Sequence, residues 1–433
     1  GTKKAYPVFG NRVTFGVCLT SWKRAILKMS ACRICKTSIT PFMDFGLMPI
    51  SNGFLEPKQF EDEYFFNMQV GVCSNCTTFQ LLEVPAPHLM FHDEYTYFSS
   101  TSKFMADHFR IMAQDLSERF LQGDDPFVVE IGSNDGITLR NFAERGVRHL
   151  GIEPSDNVGE MARNKGVSIW TRFFTQNTAN EIIADQGQAD LIISTNTMHN
   201  IEDINSVVVG VKALLKPTGV MVQEDPYLGA MVEHTTYDLI YAEHMYIWSI
   251  TSLNNAFGRH GLEIFDVEAN DVHGGCMRYF LCHKGAHEKT SRLQIHIDKE
   301  EQLGLARPET FDAFAGRCEE SRDRLVSLLR RLEDEGKTVA GYGATAKSTT
   351  IMNYCGITAE LISYISDTTP AKQEKHTPGT HIPVVAPGVF SASYPDYTVL
   401  FAWNHFNEIN TKEQAYREHG GKWIIPVKMV QVL

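Results

Sequence analysis

The chain has 433 residues, of which 43% are hydrophobic and 21% are charged, and its formal net charge is -12. This length is too great for one hydrophobic core and predicts two or three domains. The acidic balance argues against a nucleic-acid-binding protein, which usually carries a basic surface. No apolar run approaches the ~20 residues of a membrane span. We therefore expect a cytoplasmic, monomeric enzyme or binding protein that acts on a small molecule.

The first 28 residues contain six basic residues and no acidic residue. That composition is also found in transit peptides. Because Met29 lies just before the first cysteine pair, we interpret residues 1–28 as an upstream extension and assign them no function.

Two Cys-x-x-Cys pairs, Cys32 with Cys35 and Cys73 with Cys76, lie in a segment rich in proline, glycine and aromatic residues. Nine cysteines in so long a chain fit metal binding in a reducing cytosol better than a disulfide framework. Four thiolates complete a tetrahedral zinc shell and leave no position for water. The spacing predicts a structural zinc site in a module over residues 29–90.

Strands and helices are expected to alternate over residues 91–310, the pattern of a doubly wound α/β domain with a parallel sheet. A helix is predicted at residues 103–121. Apolar runs predict strands at residues 126–131, 149–152, 190–194 and 219–223.

The first of these strands ends in a glycine loop with the spacing E-x-G-x-N-x-G. Its residues are Glu130, Gly132, Asn134 and Gly136. The glycines allow a tight turn close to a ligand, and the asparagine can bind an ammonium group. Glu153, at the end of the next strand, can accept both ribose hydroxyls, which NAD would also need. The loop differs from the dinucleotide pattern G-x-G-x-x-G, and we therefore assign it to S-adenosylmethionine (SAM).

Residues 237–246 (YDLIYAEHMY, the central motif) are dense in groups that exchange protons. A carbon beside a carbonyl becomes nucleophilic once a base removes its proton. Histidine suits that role near neutral pH, and tyrosine or glutamate can stabilise the enolate or orient the imidazole. A second cluster, His273 followed by Arg278, is predicted to shape the same substrate pocket.

Residues 311–433 predict a second α/β domain. A charged helix is expected at residues 318–335, with strands at 338–341, 361–365 and 398–402. The first strand leads into a second glycine loop, G-x-G-x-x-A, which includes Gly343, and Asp367 ends the next strand. Read alone, this is a dinucleotide fingerprint. The same helix N-terminus, with Lys347 nearby, would equally hold the pyrophosphate of a nucleotide sugar.

Together these segments resemble the sugar C-methyltransferases of antibiotic deoxysugar biosynthesis, over nearly the whole chain from Cys32. The matching segments are the two cysteine pairs with DFGLMPISNGFL between them, YTYFSSTS, EIGSNDG, DPYL, IYAEHMY, VHGGCMRY, GYGATAK, PGTHIPV and AWNHFNEI. The resemblance implies a zinc-binding N-terminal module, a Rossmann-like SAM domain and a second Rossmann-like domain that helps hold a nucleotide sugar.

The resemblance also implies roles for particular residues. The tyrosine, glutamate and histidine of the family's central motif fall on Tyr241, Glu243 and His244, with His244 as the base. The tyrosine of an N-terminal Y-x-Y-x-S motif falls on Tyr95 or Tyr97. We prefer Tyr95 as the catalytic residue and place Tyr97 among the substrate-binding residues.

One departure from the family pattern concerns N-x-x-x-H-x-x-D, which begins here at Asn196. Asn200 occupies the expected histidine position, and His199 lies one residue earlier. Either a neighbour has taken over the role or the substrate differs. We keep His199 and Asn200 as catalytic candidates and Asn196 as a SAM-binding candidate.

The predicted reaction is SAM-dependent methylation of the carbon alpha to the ketone of a nucleotide-linked keto-deoxysugar, with dTDP as the expected nucleotide. The second glycine loop leaves a rival open, an NAD-dependent sugar-nucleotide oxidoreductase. Asn200 leaves another open, a zinc-containing binding protein without catalytic activity.

Overall fold

The computed structural model describes residues 30–90 and 103–433 of the chain. The extension 1–28, Tyr95 and Tyr97 lie outside the described residues. None of the helices in the two described ranges combines the length and apolar character of a membrane span.

Residues 30–90 form a small β-rich module. Its strands are β1 (Ser30–Ala31), β2 (Ser38–Ile39), β3 (Pro41–Pro49), β4 (Phe65–Val72) and β5 (Phe79–Leu81). A 3-10 helix, Pro57–Asp62, follows β3, and a short helix, α1 (Pro87–Met90), follows β5. β3, β4 and β5 pair in antiparallel fashion, so consecutive strands are neighbours in the sheet.

The central part of the chain forms a seven-stranded sheet flanked by helices. Its strands are β6 (Phe127–Ile131), β7 (Arg148–Ile152), β8 (Ile169–Trp170), β9 (Ala189–Thr195), β10 (Leu215–Pro226), β12 (Leu262–Asn270) and β13 (Cys276–His283), and a further short strand, β11 (Tyr246–Ile247), lies outside this sheet. Its helices are α2 (Lys103–Phe120), α3 (Arg140–Ala143), α4 (Asp156–Asn164), α5 (Gln176–Gln186), α6 (Ile204–Leu214), α7 (Leu228–His234), α8 (Ile250–Gly258) and α9 (Ser291–Leu303).

The strand order of this sheet is β12-β13-β10-β9-β6-β7-β8. The five strands from β10 to β8 are parallel, whereas β13 runs antiparallel to both of its neighbours. Every residue of β6 is buried, because helices cover both faces of a parallel sheet. The carboxyl ends of β6, β7, β9 and β10 therefore meet at one edge, where ligands bind in such folds.

The C-terminal part forms a second parallel sheet. Its helices are α10 (Pro308–Asp334), α11 (Ala346–Cys355), α12 (Pro387–Ala392), α13 (Phe406–Lys412) and α14 (Gln414–Glu418). Its strands are β14 (Val339–Tyr342), β15 (Ile365–Ser366), β16 (Val384–Val385), β17 (Tyr397–Leu400), β18 (Lys422–Ile425) and β19 (Gln431–Val432). The strand order is β16-β15-β14-β17-β18-β19, and only β19 is antiparallel.

The predicted fold class is confirmed: a zinc-type module and two Rossmann-like α/β sheets in tandem. The predicted strand over residues 361–365 is mostly wrong. The amides of Leu361 and Ile362 both bond to the carbonyl of Thr358, so these residues close a turn and only the last predicted residue enters β15. The charged helix begins earlier than predicted, at Pro308, because proline suits the first helical position.

The N-terminal module packs against both other parts of the chain. β11 pairs with β5, so a strand that begins at the last residue of the central motif extends the module's sheet to the order β11-β5-β4-β3. On β3, the ring of Phe42 lies 5.3 Å from that of Phe311, and the ring of Phe45 lies 4.9 Å from that of Tyr354. The central motif is thus held where the three parts meet.

Candidate active site

The four cysteine side chains of the N-terminal module converge on one point. Their sulfur atoms all lie within 4.8 Å of one another, with Cys32 and Cys76 3.5 Å apart and Cys35 and Cys73 3.4 Å apart. Tetrahedral zinc with Zn–S bonds of about 2.3 Å needs sulfurs about 3.8 Å apart. The cluster therefore fits a closed, structural zinc site.

The two cysteine pairs have matching local geometry. The residue after each pair, Lys36 or Thr77, has a positive φ, and its amide bonds to the carbonyl of the first cysteine. The side-chain amide of Gln80 donates through Nε2 to the sulfur of Cys32 over 3.2 Å. Such outer bonds orient metal ligands, and the four cysteines predicted as zinc ligands lie together in one cluster.

A cavity of about 750 Å³ lies at the carboxyl edge of the central sheet and continues into the C-terminal part. Its wall includes two residues of the N-terminal module, Asn52 and Pro87, together with the first glycine loop, the central motif and the second glycine loop. One continuous space therefore connects both loops that the sequence assigns to nucleotide-like ligands.

The first glycine loop turns away from β6 with Gly132, Asn134 and Gly136 all at positive φ. A Cβ on Gly132 would lie 2.2 Å from the hydroxyl oxygen of Thr197, so only glycine fits there. Gly132 and Asn134 line the cavity. Gly136 instead packs beneath the loop, where a Cβ would lie 2.9 Å from Val167.

Two acidic residues flank this loop, and burial raises the pKa of each. The pKa of Glu130 rises to about 8, although hydroxyls of Thr138 and Thr195 oppose the shift. Glu153 is anchored by the amides of Asn134, at 3.0 Å, and Ser155, at 2.9 Å. Buried carboxyl groups at a cavity wall gain from a cationic ligand, and SAM carries positive charge.

The side chains of Asn196 and Asn200 face the same part of the cavity. The side-chain oxygen of each is buried and has no hydrogen-bond partner among the described residues. Unpaired acceptors of this kind are costly unless a ligand supplies donors. Together with Glu130 they form an acceptor set that fits the ammonium and hydroxyl groups of SAM.

His244 lies at the centre of the candidate site, buried beside Tyr241 and His199. Its ring centroid is 3.8 Å from that of Tyr241 and 4.1 Å from that of His199. Its Nδ1–H donates to the carbonyl of Leu239 over 2.8 Å, which leaves the lone pair on Nε2. Burial lowers the pKa of His244 well below its ordinary value, and His199 adds to this effect, so the imidazole stays neutral.

His199, which lies one residue before the histidine position of the family pattern, is also part of the site. His199 is buried in the 3-10 turn that follows β9, and its Nδ1 bonds to Oδ1 of Asp225 over 2.8 Å. Asp225 ends the neighbouring strand β10, and its other oxygen accepts from Gln223 over 2.6 Å. His199 touches His244 but does not line the cavity, whereas Asn200 does.

The second glycine loop, between β14 and α11, forms the far end of the cavity. Gly343 has φ +88°, and Asp367 accepts from the amides of Ala344 and Thr369, both at 2.7 Å. Lys347 and Lys372 are buried, and burial lowers the pKa of both ammonium groups. Two buried cations at a cavity wall fit an anionic ligand.

These observations can be set beside known proteins. Residues 32–91 match a family model described as "Putative zinc binding domain", residues 104–267 match "Methyltransferase domain", and residues 271–428 match "C-methyltransferase C-terminal domain". The C-methyltransferase NovU of Streptomyces niveus is 34% identical over 405 residues, 93% of this chain and 96% of that protein. The chain belongs to the C-methyltransferase family. SAM is therefore its methyl donor, and the oxidoreductase and the inactive binding protein are both disfavoured.

Solved methyltransferase structures also resemble part of this C-methyltransferase. The CcbJ methyltransferase of Streptomyces caelestis is 14% identical and aligns over 41% of this chain and 90% of its own, with a TM-score of 0.34. The magnesium protoporphyrin IX methyltransferase of Synechocystis PCC 6803, with bound S-adenosylhomocysteine, is 14% identical over 41% and 83%, with a TM-score of 0.32.

Most predicted site residues of the C-methyltransferase within the described ranges come together in the cavity. Tyr241, Glu243, His244, His273 and Lys347 all line it. Arg278 does not, because its guanidinium pairs with Glu224 at 2.8 Å and with Glu268 at 3.3 Å. We therefore infer a structural role for Arg278 instead of the predicted contact with substrate.

Sequence reasoning missed three residues of the site. Asn52 donates to Glu243, Asp225 orients His199, and Lys372 adds a second cation at the far end of the cavity. Asn52 and Asp225 lie within SNGFL and DPYL, two segments of the family resemblance that received no role. Lys372 lies in a 3-10 helix outside every motif.

Proposed function

We propose that this C-methyltransferase transfers the methyl group of SAM to the carbon alpha to the ketone of a nucleotide-linked keto-deoxysugar, with dTDP as the nucleotide. The observation that carries the proposal is one continuous cavity, which is lined by the first glycine loop, the neutral His244 and the buried Lys347 and Lys372. Its shape suits a ligand with a reactive sugar beside His244 and a phosphorylated end at the second loop.

His244 acts as the base in this proposal. Its Nδ1–H is held by the Leu239 carbonyl, so Nε2 takes the proton from the alpha carbon and the C–H electrons form an enolate. Bound SAM supplies an electrophilic methyl group on its sulfonium. The lowered pKa of His244 keeps the base unprotonated before the reaction.

The tyrosines complete the proton chemistry. The ring of Tyr241 packs against that of His244, with 3.8 Å between centroids and an interplanar angle of 35°, and Tyr241 lines the cavity. We assign its phenol to the enolate oxygen, where a preorganised donor stabilises developing charge. Tyr95, which lies outside the described residues, is proposed to share that role, with Tyr97 contacting the sugar.

The far end of the cavity supports a phosphate-binding role. Lys347 donates to the carbonyl of His273 and to Asn404, both at 3.3 Å, and the buried carboxyl of Asp238 acts on its charge without a hydrogen bond between them. Lys372 donates to the carbonyl of Ala344 over 2.8 Å. The hydroxyl of Ser366, buried at the cavity wall, has no partner among the described residues. A pyrophosphate would supply the missing acceptors and charge.

The proposal is tested by incubating the protein with SAM and dTDP-4-keto-6-deoxyglucose, whose C3 and C5 protons both lie alpha to the ketone, and following the products by NMR and mass spectrometry. We expect a carbon-bound methyl group on the sugar and, in D2O without SAM, exchange of an alpha proton. His244→Gln should abolish both, whereas His419→Gln, which changes an exposed histidine that bonds to the carbonyl of Ala415, should abolish neither.

Related keto-sugars on dTDP and other nucleotides extend the assay if the first substrate is poor. Methyl transfer to an oxygen, or undiminished turnover by His244→Gln, would contradict the proposed reaction.

A further inference from the structure

The loop after β3 carries a polar side chain from the N-terminal module into the active site. Asn52 Nδ2 donates to Oε1 of Glu243 over 2.8 Å, although the two residues are 191 positions apart. Next to it, the hydroxyl of Ser51 accepts from the amide of Ala242 over 3.2 Å. The loop thus bonds to both the backbone and the side chain of the central motif.

The two oxygens of Glu243 differ in their surroundings. Oε1 is held by Asn52, whereas Oε2 is buried without a hydrogen-bond partner among the described residues. Glu243 also lines the cavity. A buried carboxyl oxygen without a partner is costly in the free protein, so Oε2 is the oxygen left for a ligand.

The loop that carries Asn52 is itself anchored by hydrogen bonds. Ser51 is 2% exposed, and its carbonyl accepts from the hydroxyl of Thr349 on α11 over 2.8 Å. The amide of Gly53 closes the loop by bonding to the carbonyl of Ile50 over 3.1 Å. The loop is therefore held on both sides and can orient a partner without moving.

We propose that Asn52 is a positioning residue that fixes the Glu243 carboxyl with Oε2 toward the substrate, and that the N-terminal module is thereby a working part of the active site. This rests on the proposed function in one respect, the assignment of Glu243 to the reaction. Zinc then has a catalytic consequence without touching substrate, because the Asn52 loop lies between the two cysteine pairs that the metal holds together.

The first test needs no substrate. Burial raises the pKa of Glu243, and the hydrogen bond from Asn52 opposes that rise, so Asn52→Ala should raise the pKa further. The carboxyl stretch of Glu243 is followed by infrared difference spectroscopy from pH 4 to 9, with Glu243→Gln to assign the band. Gln69→Ala is the matched control, because it removes a hydrogen bond to Asp44 within the same module, away from the site.

We expect Asn52→Ala to move the titration of this band to higher pH and Gln69→Ala to leave it in place. Asn52→Leu, which keeps the side-chain volume, should repeat the result if the alanine variant is unstable. Zinc content and the melting temperature are measured for every variant. A band that titrates as in the wild type in both zinc-loaded Asn52 variants would overturn the proposal.

The second test is a double-mutant cycle on turnover. Asn52→Ala should lower kcat about 10- to 100-fold, as expected when a hydrogen bond to a charged group is lost. It should add little to the loss already caused by Glu243→Gln, because residues that act through one contact are not additive. Equal effects of Asn52→Ala in both backgrounds would contradict positioning through Glu243. If none of the proposed keto-sugars is methylated, the double-mutant cycle gives no signal. The infrared titration of Glu243 then still tests the positioning role of Asn52.

Discussion

The Nδ1–H of His199 donates a hydrogen bond to Oδ1 of Asp225 over 2.8 Å, and both side chains are almost wholly buried. The His199 ring also lies edge-on to His244, at 4.1 Å between centroids and an interplanar angle of 76°. The aspartate therefore sets the tautomer of a histidine that packs against the proposed base.

This arrangement predicts that Asp225→Asn lowers kcat about 10- to 100-fold, because the variant loses a charge-assisted hydrogen bond. KM should change little, since Asp225 does not line the cavity. Steady-state kinetics with an active keto-sugar checks this, and Asp124→Asn, an exposed substitution, is the control. A raised KM with kcat unchanged would contradict a role through His199.

The buried state of His244 predicts a pH dependence of stability. Its pKa is lowered in the folded protein, so below the ordinary histidine value of about 6.5 the unfolded chain binds a proton that the folded chain refuses. The contribution of His244 to the free energy of unfolding is therefore fully present above about pH 6.5. As the pH falls below this value, the contribution decreases by about 1.4 kcal/mol per pH unit until the pKa of the folded state is reached.

Urea unfolding between pH 5 and 7.5 measures this slope. His244→Gln should reduce the slope by about 1.4 kcal/mol per pH unit, the contribution of one proton. His419→Gln, at an exposed histidine, is the control. The same sign applies to catalysis, because a base with a lowered pKa stays active at pH values where an exposed histidine would be protonated. An identical slope in wild type and His244→Gln would show that His244 titrates normally.

The cysteine cluster predicts one zinc ion per chain and a loss of stability when the ion is removed. Cys73→Ser should bind less zinc and melt at a lower temperature, because structural zinc contributes directly to folding. Cys282→Ser replaces a buried cysteine outside the cluster and should keep the metal. Elemental analysis and thermal unfolding decide, and full zinc occupancy in Cys73→Ser would contradict the four-thiolate site.

Local patterns predicted the parts of this site whose geometry depends on neighbouring residues in the chain. The cysteine pairs determine the shape of the cysteine cluster, and the strand–glycine–helix order around Gly132 determines the first glycine loop. The contact of Asn52 with Glu243 could not be predicted in this way. It depends on how the N-terminal module docks on the central motif, and no spacing in the sequence encodes that docking.

His199 illustrates a different limit. The family pattern places a histidine one position later, at Asn200, and a shift of one residue normally turns a side chain away. Here residues 198–200 form a 3-10 turn, so both Asn200 and His199 remain beside the site, one lining the cavity and one behind His244. The backbone conformation, and not the sequence spacing, shows that Asn200 and His199 both belong to the site.

The geometry of the first glycine loop predicts that Gly132 tolerates no side chain, and we propose that this loop binds SAM. Gly132→Ala would place a Cβ 2.2 Å from the Thr197 hydroxyl at φ +71°, and the backbone conformation alone costs about 1–2 kcal/mol. We expect weaker binding of S-adenosylhomocysteine by calorimetry and a lower melting temperature. Gly123→Ala, at a glycine without positive φ and with open space around it, should change neither. Wild-type affinity in Gly132→Ala would place the cofactor elsewhere.

The second glycine loop predicts that Lys372 contributes to binding of the nucleotide end of the substrate. Lys372→Met should weaken dTDP binding about 10-fold or more, because a charge-assisted bond to phosphate is lost. The fold should persist, since a buried cation replaced by an apolar side chain of similar length is often tolerated.

Calorimetry with dTDP and, separately, with S-adenosylhomocysteine checks the effect of Lys372→Met: only the affinity for dTDP should fall. Lys284→Met, at an exposed lysine, is the control, and equal loss of both ligands in Lys372→Met would indicate a general structural defect rather than a phosphate contact.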